Sequence, residues 1–207
     1  MRSAPYRAYQ FFAALRAFLP NWAGGLGGQL SPADRSLVES ILVTPAQRQL
    51  FDRMLPNDQR HAVAVARTLW QAGHRHSALL QAALLHDVAK SLGQPLTHRV
   101  LIVLLEKFWP ATLHRLSGSG KSLFVDQPPA SSTQQQADPL QTAQLPAWRH
   151  PFVIHAYHPV IGAAWVRQAG CQPQVAELIL HHQAEPEAIS DDFTRLLTLL
   201  KWADNLN

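Results

Sequence analysis

Beyond residue 30, apolar side chains recur every third or fourth position in run after run, the period of helices that bury one face. Ser31-Pro32-Ala33-Asp34 places an N-cap before a proline at the first helical position and predicts a helix to about Val43. Thr44-Pro45 repeats the signal, with a helix towards Leu55. Val65, Leu69 and Ala72 form one stripe over 61–72, closed by Gly73. Ser77 is expected to cap a helix carrying Leu79, Leu80, Ala82, Ala83, Leu84 and Leu85, with the segment ending between Lys90 and Gly93. A further helix is predicted over 98–108, closed by Pro110, with a short helical piece to about Leu116. His158-Pro159 reads as the start of another, through Ile161, Trp165 and Val166 to Gly170. Val175, Leu178, Ile179 and His182 mark one more stripe, and Phe193, Leu196, Leu197, Leu200 and Asp204 mark the last. No alternating strand pattern of useful length occurs, so the predicted class is all-α.

Two segments break this rhythm. Near the N-terminus, Phe11, Phe12, Leu15, Phe18 and Leu19 predict a helix over 8–19, stopped by Pro20 and followed by the glycine-rich stretch 24–28. The first thirty residues hold Arg2, Arg7 and Arg16 and no acid. Such a helix reads first as an extra element packed on the domain. Peripheral membrane or partner docking is the other use of its basic amphipathic pattern. Residues 117–147 contain five Ser, six Gln and four Pro with little apolar periodicity. That composition cannot bury enough surface to offset its ordering entropy, so a mobile, disordered insertion is expected. The organisation predicted is an N-terminal helical extension over 1–55 and a helical domain over 56–207, interrupted at 117–147.

Composition narrows the class. Hydrophobic residues are 47% of the 207 and charged ones 15%, which supplies a core and excludes a highly charged disordered chain. The single Cys171 excludes a disulfide framework and a Cys-rich zinc site. No apolar run approaches the roughly 18 residues of a membrane-spanning helix, and the N-terminus lacks the order of a signal peptide, so a cytoplasmic location is expected. A net charge of +4 favours anionic partners without the dense basic patch of a nucleic-acid-polymer binder. Eleven histidines matter more, because histidine is the commonest metal ligand.

Their positions carry the argument. His86 and Asp87 stand together at the inward end of the very apolar 77–85 stretch, where an ionised carboxylate without a partner costs several kcal/mol. His61 opens the preceding stripe, His158 starts a later one, His181 and His182 end another, and Asp204 takes a core position in the last. Singly, each reads as a core histidine bonded to a carbonyl, or as an aspartate serving a helix end. Together they put five histidines and two aspartates on the apolar faces or ends of five helices, where helical bundles build metal sites.

The order His61, His86-Asp87, Asp204 resembles the HD superfamily of metal-dependent phosphohydrolases, whose motif is a His, a His-Asp doublet and a later Asp on an all-α bundle. His86-Asp87-Val88-Ala89-Lys90 resembles the HDIG branch, and His158 and the His181-His182 doublet resemble branches that hold two metals, among them cyclic-dinucleotide phosphodiesterases and dinucleoside-polyphosphate hydrolases. The resemblance covers about 56–207 without the insertion. It implies an HD-type helical bundle with two divalent transition-metal ions, of Fe, Mn, Co or Zn. One would be held by His61, His86, Asp87 and Asp204, the other by Asp87, His158, His181 and His182, with Asp87 bridging. It implies attack on phosphorus by a metal-bridging hydroxide, with Asp87 and Lys90 as catalytic residues and Lys90, then Arg60, contacting substrate phosphate. The expected partner is a small phosphorylated molecule, a nucleotide or dinucleotide phosphoester or phosphoanhydride. The chain departs from the cyclic-di-GMP enzymes: Gln183-Ala184-Glu185-Pro186 replaces their Gly-Tyr-Pro element, and Asn57 stands where some of them place a glutamate. No phosphate loop is present, because Gly118-Ser119-Gly120-Lys121-Ser122 lacks the first glycine at the required spacing. The alternatives are a nucleotide-binding regulatory module without catalysis and a di-iron oxygenase on the same scaffold.

Overall fold

A computed structural model describes residues 30–92, 96–118, 146–184 and 191–207. The helix expected over 8–19 and most of the 117–147 insertion lie outside these residues. Among those described the protein is all-α, with no strand. The elements are α1 (Pro32–Ile41), α2 (Pro45–Asp52), α3 (Pro56–Gln71), α4 (Ser77–Leu85), a 3-10 turn (Val88–Leu92), α5 (Leu96–Phe108), α6 (Pro110–Ser117), α7 (His150–Gln168), α8 (Pro173–His181) and α9 (Asp192–Leu206). None is long and apolar enough to cross a membrane.

The helix starts follow local chemistry. Ser31 accepts from the backbone N–H of Asp34, and Thr44 makes a reciprocal capping box with Gln47. Prolines occupy the first turn of α1, α2, α3, α6 and α8, where their missing N–H costs nothing. Asp191 and Thr194 form the box that opens α9. Ser77 is a correction: the cap position is His76, and Ser77 is the first helical residue. Gly73 and Gly170, both at positive φ, end α3 and α7 where a side chain would be strained.

Helix α4 is apolar on every side and becomes the central element. Every residue from Ala78 to Leu85 is buried except Gln81, whose amide donates to the carbonyl of Ile41. Around it pack α3, α8, α9, α1 and α2, while α7 lies against α8 and the 3-10 turn, and the α5–α6 pair lies on α7. Val38, Ile41, Leu42, Leu50, Phe51 and Met54 belong to the same core cluster as Val65, Leu79 and Ile179. From Leu30 onward the segment assigned to an extension is therefore part of the main core.

The second correction concerns α7. The pair His158-Pro159 reads as a helix start, yet the helix begins at His150 and carries Pro159 in its interior. Phe152, Val153 and Ile154 are buried and extend the apolar surface upstream, and that burial outweighs one lost ladder bond.

Gly162, one turn beyond His158, lets α7 approach the turn that bears His86 and Asp87. A Cβ there would lie 3.2 Å from Cγ2 of Ile179, 3.6 Å from Cγ1 of Val88 and 3.8 Å from the carbonyl oxygen of His86. Replacing it with valine is expected to cost about 2 kcal/mol through overpacking, read as a lower urea midpoint at unchanged slope. A midpoint equal to wild type would mean that α7 is free to shift.

Candidate metal centre

His86 closes α4, Asp87 begins the turn after it, His158 sits midway along α7, and His182 follows the last residue of α8. All four are buried. His61 on α3 and Asp204 on α9 complete the group from a half-exposed side.

Three of the imidazoles are fixed in the same way. Nδ1 of His86 lies 3.0 Å from the carbonyl of Ala83, Nδ1 of His158 lies 2.7 Å from that of His155, and Nδ1 of His182 lies 2.6 Å from that of Ile179. A carbonyl only accepts, so each Nδ1 carries a proton, and Nε2 presents a lone pair on His158 and His182, and on His86 once its second proton is lost. The acceptors have a common origin. Ala83 and Ile179 stand in the last turns of α4 and α8, where the helical ladder runs out. His155 stands four residues before Pro159, which has no N–H to give it. Helix termination and an internal proline thus supply the carbonyls that orient the ring nitrogens, an arrangement typical of the support behind metal-bound histidines.

The Nε2 atoms converge on two carboxylates. Nε2 of His86 is 3.5 Å from Oδ2 of Asp87 and 3.6 Å from Oδ1 of Asp204. Nε2 of His158 is 3.4 Å and Nε2 of His182 4.0 Å from Oδ1 of Asp87. Nε2 of His61 is 2.9 Å from Oδ1 of Asp204, and Nζ of Lys90 donates to Oδ2 of Asp87 at 2.6 Å. Nε2 of His86 and Oδ1 of Asp87 are buried without any hydrogen-bond partner. Nε2 of His158 and Nε2 of His182 face each other at 3.3 Å. With both Nδ1 protonated, two lone pairs meet there, and burial opposes relieving them by a second protonation.

Two groups can hold metal ions: His61, His86 and Asp204, and Asp87, His158 and His182, with the ligand atoms of each group within 4.8 Å of one another. Metal-to-ligand bonds near 2 Å need donor atoms at about these separations, and the mixed imidazole and carboxylate set suits a divalent transition metal. The unpartnered lone pairs are what such an ion would satisfy.

Charge is set by the same contacts. Burial opposes ionisation of Asp87, yet Lys90 and then His86 hold its carboxyl well below the usual range. Burial also opposes charge on Lys90, but Asp87 raises it above the ordinary lysine value. Burial disfavours the His86 imidazolium, but Asp87 and Asp204 outweigh it and raise the pKa to about 9. Against its partial burial, Asp204 is held below the carboxylate range by His61 and then His86. Burial pushes His158 well below 6.5 and His182 down to about 4.

Of the residues predicted from sequence, the structure brings together His61, His86, Asp87, Lys90, His158, His182 and Asp204. His181 is the correction. Its half-exposed ring faces Oε2 of Glu177 at 3.7 Å and packs edge-on against Phe193. Adjacent helical residues point about 100° apart, and the inward place belongs to His182. Arg60 is half-buried on α3 and does not line the pocket over the cluster. That pocket, of about 430 Å³, is lined by His61, Asp87, Lys90, His182, Gln183, Lys201, Asp204 and Asn205. Sequence reading missed Gln183, Lys201 and Asn205. The available signal was their spacing, next to His182 and within one turn of Asp204.

No protein-family model, no curated protein and no solved structure matches this chain. The chemistry of the site is read from its own geometry.

Two expectations concern the ion-free protein. His158 and His182 have folded pKa values below 6.5, so the unfolded chain binds more protons and stability falls as pH drops from about 6.5 towards 4. His86, raised to about 9, contributes fully below 6.5 and loses its contribution as pH rises through 9. Thermal midpoints of chelator-treated protein should therefore peak between these limbs, whereas a monotonic profile would contradict the assigned protonation states. Lys90→Met leaves the buried Asp87 carboxylate without its cation and should cost about 3 kcal/mol in chelator, a loss that a saturating divalent ion reverses. Equal destabilisation with and without the ion would show that Lys90 acts through packing.

Proposed function

We propose that this protein is a metal-dependent phosphohydrolase of the HD type, acting on a nucleotide or dinucleotide phosphoester or phosphoanhydride. The observation that carries the reading is the convergence of three imidazoles, each oriented by a backbone carbonyl, on Asp87 and Asp204 beside an ammonium at the floor of an open pocket. The order of these residues along the chain is the order that resembles the HD motif.

His61, His86 and Asp204 would hold one ion and Asp87, His158 and His182 a second, with Asp87 between them because its two oxygens face opposite groups. Bound Fe, Mn, Co or Zn ions supply Lewis acidity and a strong nucleophile from water at neutral pH. The protein's residues do the rest. The carbonyls of Ala83, His155 and Ile179 hold each Nδ1–H and so aim each Nε2 inward. Lys90, held by Asp87 and open to the pocket, is placed to donate to phosphoryl oxygens as negative charge builds on them. Burial of Asp87, His158 and His182 lowers the local dielectric and strengthens the electrostatics of that half. Two pocket lysines, Lys90 and Lys201, supply N–H donors for an anionic substrate.

Protein purified without chelator should contain about two equivalents of transition metal per chain, matching the two ligand groups. In phosphatase and phosphodiesterase assays over a nucleotide panel, Asp87→Asn should lower turnover at least about a thousandfold and lose bound metal. Equal turnover by wild type and variant overturns the proposal.

A further inference from the structure

Lys201 precedes Asp204 by three residues on α9, so the two side chains rise on one face about a turn apart. It lines the same pocket as Lys90, Asp87 and Asp204, yet the two lysines meet their charge differently. Lys90 is bound to the carboxylate of Asp87. Lys201 donates to the carbonyl of Ala184, a neutral acceptor, and among the described residues no carboxylate forms an ion pair with it. Among the described residues its positive charge therefore faces the pocket without a carboxylate, with N–H donors to spare. Gln183 and Asn205 line the same pocket and add carboxamide donors to it. A lysine ammonium flanked by neutral donors, next to a group that can hold metal ions, has the character of an anion subsite separate from the reacting position.

We propose that Lys201 anchors a second phosphate of the substrate, and that the site therefore takes a phosphoanhydride rather than a phosphodiester. The inference rests on the phosphohydrolase reading above. In an anhydride, the group next to the reacting phosphoryl is another phosphate, joined through one oxygen and carrying its own charge. In a diester, the group joined through the bridging oxygen is an alcohol carbon, so no second phosphate lies directly beside the reacting one for Lys201 to meet. During hydrolysis one water is consumed. Its oxygen bonds to the phosphorus beside Lys90, the P–O–P bond breaks, and the electron pair leaves on the phosphate held by Lys201. The water's protons end on the two phosphate products and solvent. Lys201 thus binds the leaving phosphate and disperses the charge released there.

The test is calorimetric binding of inorganic pyrophosphate and inorganic phosphate to the manganese-loaded full chain, with metal content measured before and after titration. Wild type should bind pyrophosphate more tightly than phosphate. Lys201→Met should weaken pyrophosphate binding roughly tenfold to a hundredfold, weaken phosphate binding by clearly less, leave metal content unchanged, and be rescued in large part by Lys201→Arg. A purely structural lysine would not separate the two anions. If the Met and Arg variants both keep full metal content and bind pyrophosphate as wild type does, the Lys201 assignment is wrong while the phosphohydrolase reading stands. If wild type binds no divalent ion, that reading falls and the second-phosphate subsite falls with it.

Discussion

The arrangement turns on one buried charge. Asp87 sits at the end of the most apolar of the described helices, where an uncompensated carboxylate would cost several kcal/mol. Lys90 meets one of its oxygens, and the other faces two imidazoles that are too far away, and in the wrong protonation state, to donate to it. The fold therefore supplies half of the compensation itself and leaves the other half open. A purely structural aspartate would have had its second oxygen capped by a helix N-terminus or a hydroxyl, both cheap to build into a helical bundle.

The imidazoles around it depend on backbone features that serve folding first. Helices α4 and α8 end at Leu85 and His181, and each leaves terminal carbonyls that the histidine after it takes up. In α7, Pro159 removes a donor, and the vacated carbonyl of His155 receives His158. Gly162 then permits α7 to lie against the turn holding Asp87. Element boundaries and site geometry are thus one problem here. Shifting any of these boundaries by one residue would rotate an imidazole by about 100° and take its Nε2 out of the cluster.

Much of the fold was legible because helix starts carry local signatures. Ser31-Pro32, Thr44-Pro45 and the glycines after α3 and α7 act through nearest neighbours. The candidate site was legible because histidines and aspartates on apolar faces conflict with burial unless something resolves the conflict. What failed had tertiary causes. A proline is compatible with a first turn or a tolerated interior, and only the buried Phe152, Val153 and Ile154 decide that Pro159 is interior. Of the pair His181-His182, only the packing of α8 decides which ring faces inward. Lys201 resembles any exposed helix lysine until Asp204 is seen to turn the same face towards the pocket.

The charges of the site also order its events on the proposed reading. Asp87 and Asp204 against Lys90 and Lys201 sum to zero, and the neighbouring His86, with its pKa raised to about 9, adds one positive charge at neutral pH. A polyanion gains little from a pocket so nearly balanced. Two divalent ions would add four positive charges and displace the proton of His86, turning the same walls strongly anion-seeking. Lys90, which neutralises Asp87 in the ion-free protein, would then be released to face phosphate. Metal loading would thus come before productive substrate binding, because the protein's own residues have balanced the pocket against it.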